Sequence, residues 1–129
     1  MASSAVDVQK SQATNSTRGR ELALAAARTA AENNGQEILI LDVRKLTSIF
    51  DYFVLVSGRS GRQLRAIADE IDRVLRIEMG DRRRNMEGYA ESRWIVLDHG
   101  DVVVQLFTEE ARAFYRLEDL WADAQRITA

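Results

Sequence analysis

The sequence predicts a single α/β sandwich: one mixed β-sheet flanked by helices. Three observations predict it. Helically spaced segments and short apolar runs follow one another in the order helix, strand, strand, helix, strand, strand, helix. The short runs are apolar on nearly every residue, as in strands covered on both faces. And 129 residues lie within the roughly 100 to 150 of one domain with one core.

Residues 1–16, rich in Ser, Thr, Gln and Asn, read as a disordered lead, which leaves 17–126 as the folded domain. From Thr17 the alanine-rich "TRGRELALAAARTAAENNG" predicts a helix. Leu22, Ala25, Ala26, Thr29 and Ala30 share one stripe of it, and it closes at Asn34-Gly35, where glycine supplies a left-handed cap. "EILILDVRKL" is a strand apolar on both sides, and "SIFDYFVLVSG" is another, ending in a turn at Gly58. Ser60 to Gln63 has the form of a capping box, with a serine side chain for the third helical amide and a glutamine to reach back. The helix it opens aligns Leu64, Ile67, Ala68, Ile71, Val74 and Leu75, and Gly80 ends it. "DRRRNMEGYAESR" is a charged connection. The hairpin "WIVLDHGDVVVQLF" follows, Trp94 to Phe107. Thr108 then caps a last helix, with Glu109 and Glu110 at its positive end and Phe114, Leu117, Leu120, Trp121 and Ala124 as its stripe; Tyr115 falls beside that stripe.

Composition narrows the function. A formal charge of -2 and a pI near 5.5 argue against nucleic-acid binding by overall charge. Without cysteine there is neither a disulfide nor a thiolate site, and with His99 as the single histidine no multi-histidine zinc site. No apolar run approaches the roughly 20 residues of a membrane span, and the start lacks a signal-peptide core, so the cytoplasm is the expected compartment.

The hairpin carries the functional signal. Taking His99-Gly100 as its two-residue turn sets Asp98 opposite Asp101, Val96 opposite Val103 and Trp94 opposite Gln105. Ile95, Leu97, Val102, Val104 and Leu106 then share a core face. The other face collects Trp94, Val96, Val103, Gln105 and Phe107, with Asp98 and Asp101 at the tip. Either a helix covers it, or it is a docking surface: an apolar centre holding a tryptophan, rimmed by carboxylates, suits a basic partner. A second copy of the chain is another occupant compatible with that face, although it would bring the aspartates toward their symmetry mates.

"DYFVLVSGRSGRQLRAIADEI", then Glu87-Gly88, then "WIVLDHGDVVVQLF" and "FYRLEDLW" resemble, in order and spacing, the ribosomal silencing factor family, also called the Iojap family. The likeness covers about residues 17 to 124. It implies a protein that binds the large ribosomal subunit on that subunit's protein fourteen and sterically blocks subunit joining when nutrients are scarce. On this sequence the implied contact surface falls on Trp94, Val96, Asp98, Gly100, Asp101 and Val103. His99 stands where a tyrosine is expected in the family's turn.

The resemblance also implies a nucleotidyltransferase-like fold, and with it an enzymatic alternative. Such enzymes follow a Gly-Ser turn with two carboxylates at alternate strand positions, which bridge metal ions. Gly58 and Ser60 imitate the turn, but Asp69, Glu70 and Asp72 fall on the expected helix and Asp98 and Asp101 straddle a turn, so no catalytic residue, metal or cofactor is expected. "GRSGR" lacks the spacing of a phosphate-binding loop and reads as a strand-to-helix turn. Its Arg59 and Arg62, with Arg82, Arg83 and Arg84 of the charged connection, are candidates for ribosomal RNA contact. His99, at a turn tip, is a poor general base.

Overall fold

The computed structural model describes residues 2–116, 119 and 121–128, and of residues 2–16 the backbone alone. Helix α1 spans Ala2–Glu32, so it reaches back through the segment read as a disordered lead. No glycine or proline interrupts the stretch before Gly19. The helix ends in a Schellman motif in which Asn34, not Gly35, takes the left-handed conformation at φ 65°. The Gly35 amide reaches back to the Ala30 carbonyl at 2.8 Å and that of Asn34 to Ala31 at 3.2 Å. Glycine is needed at 35 for closeness instead: a Cβ there would lie 2.9 Å from Ala30 O and from Val56 Cγ1.

Strands β1 (Gln36–Asp42) and β2 (Tyr52–Gly58) pair antiparallel. Helix α2 (Gly61–Arg73) follows, prolonged by a π-helical turn over Val74–Glu78. Ser60 caps α2 by accepting the Gln63 amide at 3.1 Å; the Gln63 side chain reaches one residue further back than a capping box predicts, to the Arg59 amide at 2.6 Å. Then come β3 (Asn85–Glu87), β4 (Trp94–Asp98), β5 (Val102–Thr108), α3 (Glu109–Tyr115) and β6 (Gln125–Ile127). The sheet order is β3-β4-β5-β2-β1-β6, with β2 and β5 parallel and the other neighbours antiparallel. This is the expected single α/β domain with a mixed sheet.

Helices α1 and α2 cover one face, burying Leu22, Ala26, Ala30, Leu64, Ile67, Ile71 and Leu75 against Ile95, Leu97, Val102, Val104 and Leu106. The other face holds a smaller cluster of Leu41, Val43, Phe53, Leu55, Val103, Phe107 and Ala111. Its cover departs from expectation. Thr108 caps α3 as predicted, accepting the Ala111 amide at 3.2 Å, but the helix stops at Tyr115 because Arg116 turns left-handed at φ 48°. The chain then drops Trp121 edge-on against Phe53, ring centres 4.8 Å apart, and pairs β6 with β1. Trp121 thus packs, half-buried, against the core. Phe114 does not: it stands 76% exposed. Leu117 and Leu120 of the expected stripe lie outside the described residues. Among the described residues no helix is long and apolar enough to cross a membrane.

Candidate functional site

The hairpin's two faces are those counted from the sequence, but its register is not. Asp98 pairs with Val103, Val96 with Gln105 and Trp94 with Phe107, a shift of two positions that leaves every side chain on its expected side. The turn takes in His99, Gly100 and Asp101, closed by the His99 amide on the Val102 carbonyl at 2.9 Å, with Gly100 at φ 86°. Asp98 and Asp101 are therefore not cross-strand partners. Asp98 folds its carboxylate over the turn and accepts the Gly100 amide at 2.8 Å. Asp101 keeps an exposed side chain, while its carbonyl accepts the amides of Asp51 and Tyr52 at 2.8 and 3.0 Å.

That last contact brings in Asp51, which the sequence did not single out. Burial, and then the negative charge of Asp101, push the Asp51 carboxyl above its ordinary value. The two acids form one edge of the tip. Nearby, Arg44 binds Asp42 through Nε and Nη2 at 2.9 and 2.7 Å and holds that carboxyl below the usual range.

Along β4, Trp94, Val96 and Asp98 line the second face, each half-buried. The Trp94 indole donates to Gln105 Oε1 at 3.2 Å, which fixes the ring's tilt. Its ring centre lies 5.4 Å from that of Phe107 beneath it and 4.9 Å from Tyr115 of α3; Tyr115 in turn lies 5.1 Å from Phe114. An aromatic run thus climbs from the buried Phe107 to the exposed Phe114. Val103, at 5% exposure, supports the patch from within rather than presenting a contact atom. Phe114 and Tyr115 were missed because α3 turns Ala111 and Arg112 inward, which leaves Phe114 on its outer side. Leu46 and the 71% exposed Ile49, on the loop before β2, add apolar surface at the sheet end that carries the turn.

His99 overturns its expected place at an exposed tip. Next to Asp98, it points to the helical side of the sheet, and its side chain is completely buried. Nδ1 sits 2.8 Å from Asp81 Oδ2 and Nε2 3.6 Å from Asp72 Oδ1. Asp72 also meets Arg76 and Arg83, at 3.3 and 3.4 Å. The ring therefore takes no part in the second face.

The candidate arginines separate accordingly. Arg83 is committed to Asp72 and to Met86 Sδ, and Arg84 lies over the turn, where a Cβ on Gly100 would come 2.9 Å from its Nε. Arg59, Arg62, Arg82 and Arg84 are exposed. Among the described residues no group of three or more His, Cys, Asp or Glu side chains could hold a metal ion. At the Gly58–Ser60 turn, Gly58 admits Leu64, whose Cδ2 would lie 2.6 Å from a Cβ there.

An α/β fold with an aromatic patch beside a carboxylate edge has the build of a protein-docking module. The chain belongs to the ribosomal silencing factor family: the family model described as "Ribosomal silencing factor during starvation" matches residues 16–129. The chain is 40% identical over 99 residues to the ribosomal silencing factor of Bacillus subtilis, covering 77% of this chain and 83% of that one. To that of Halalkalibacterium halodurans it is 35% identical over 108 residues, covering 84% and 92%. It is also 31% identical over 110 residues to the chloroplastic protein Iojap of maize, covering 81% of this chain and 45% of that one. A crystal structure of a Chromobacterium violaceum protein superposes with a TM-score of 0.78 at 32% identity, covering 85% of this chain and 90% of that one.

Proposed function

We propose that this chain is a non-enzymatic repressor of translation that docks by its β4–β5 face on the large ribosomal subunit, through that subunit's protein fourteen, and sterically blocks subunit joining under nutrient limitation. The observation that carries the reading is the aromatic run of Trp94, Tyr115 and Phe114 continuing along β4 to the Asp98 and Asp101 edge. Apolar centre and acidic edge together complement a basic protein surface with an apolar spot, as RNA-bound proteins present. The name of the bacterial relatives supports the same reading. Trp94 is the anchor, Val96 its surround, and Asp98, Gly100 and Asp101 the charged tip, with Val103 as the layer beneath. Arg59, Arg62, Arg82 and Arg84, all exposed, are the arginines we assign to contact with ribosomal RNA, with Arg83 held at Asp72. The patch is shared in the free protein with a second copy, and the cytoplasm is where the protein acts.

The enzymatic alternative, a nucleotidyltransferase-like catalyst, finds less support, since no carboxylates alternate on the strand after the Gly58–Ser60 turn. The test is sedimentation of purified large subunits with the wild-type protein and with an Asp98→Lys, Asp101→Lys pair, followed by small subunits. Wild type is expected to co-sediment and prevent joining, and the folded charge-reversed pair to do neither. Equal binding by both would move the contact away from this face.

A further inference from the structure

Three features of the sheet's second face look unfavourable one at a time. Ser57 puts a fully buried hydroxyl into β2, whose other residues are nearly all apolar. Glu37 adopts φ 47° where β1 loses register with β2, a conformation costly for a non-glycine residue. Arg112 is buried to 6% exposure on a helix of only seven residues.

They account for one another. The bulge at Glu37 leaves its carbonyl outside the ladder, and Arg112 Nη1 donates to that oxygen at 2.7 Å and to Ser57 Oγ at 2.8 Å. Arg112 Nε faces the Glu37 carboxylate at 3.7 Å. One guanidinium thus ties α3 to two strands, which the planar fork of arginine does and a lysine does not.

A helix this short does not hold its own position in water. Its left-handed end is built on the same residue, the Arg116 amide bonding to the Arg112 carbonyl at 3.0 Å. Between those two points lie Phe114 and Tyr115, and Tyr115 meets Trp94 across the sheet. Resting on the docking reading above, we propose that Arg112 is the positioning residue of the docking surface: without touching the partner, it fixes the short helix that lays Tyr115 on Trp94 and holds Phe114 out of the sheet.

The first measurement needs no ribosome. In the free protein, nuclear Overhauser contacts between the Trp94 and Tyr115 rings are expected to disappear in Arg112→Gln and to weaken in Ser57→Ala, which removes one acceptor and serves should Arg112→Gln fail to fold. Retained contacts in both variants would overturn the proposal. The second is a coupling cycle on large subunits. Arg112→Gln should weaken binding about tenfold in the wild-type background and less than about twofold once Phe114 and Tyr115 are both alanine, since coupled side chains are non-additive. An undiminished loss in that background would mean that Arg112 acts only through general stability, and would overturn the proposal. Failure of Trp94→Ala to reduce binding would sink the docking reading itself, a result separate from the ring contacts.

Discussion

Gly88 lies directly beneath the backbone of Trp94: a Cβ at residue 88 would stand 1.9 Å from the Trp94 carbonyl oxygen, and Gly88 itself sits at φ 78°. The turn of Glu87-Gly88 is thus the seat of the anchor strand. Gly88→Ala combines a left-handed strain with an impossible contact, and should destabilise the fold by about 3 kcal/mol. Urea denaturation checks it. A loss below about 1 kcal/mol would mean that β4 shifts freely, against a packed interior.

Trp94→Ala should weaken large-subunit binding by about 30- to 1,000-fold, as loss of a central aromatic anchor does. Arg82→Ala, at an exposed rim, should change it by less than about threefold and mainly through the association rate. Equilibrium binding across a salt series separates them, the arginine effect fading as salt rises.

The hairpin's sidedness was legible because side chains alternate strictly, so even a register wrong by two positions leaves Ile95 and Leu97 inward and Trp94 and Val96 outward. The register itself was not. Asp98 turns its carboxylate onto the Gly100 amide and so draws a third residue, Asp101, into the turn, where a His-Gly pair alone suggested two. Local chemistry also misled at the C-terminal end. "FYRLEDLW" contains neither glycine nor proline, yet Arg116 turns left-handed, because Trp121 against Phe53 and β6 beside β1 reward leaving the helix. The burial of His99 was hidden for a related reason: the acids that receive it, Asp72 and Asp81, are distant in sequence.

His99→Leu should be costly to stability and neutral to docking. The change removes the ring's hydrogen bond to Asp81 and should cost about 1 to 3 kcal/mol, while Asp72 keeps Arg76 and Arg83. Because the ring faces the helices, a thermal melt should move while subunit affinity, measured below the melt, stays within about twofold. Lost affinity at full folding would place His99 at the contact.

Asp51→Asn should stabilise the free protein at neutral pH. A carboxyl whose folded value is raised is a liability while ionised; the liability shrinks as pH falls through the folded value and is gone below the unfolded one. The melting difference between variant and wild type should therefore be positive near pH 7 and close toward pH 3 to 4. A difference that does not change with pH would assign the effect to packing rather than charge.

The pairing of β6 with β1 sets Ile127 against Ile40, and the parallel pair sets Val102 beside Tyr52. Contacts between such distant parts form late, after the intervening chain is complete. While the chain is being synthesised, Trp94 emerges before Tyr115, and the face they share exists only after both strands have found their places. On the docking reading, the surface is therefore a property of the completed sheet, absent from a partly folded chain.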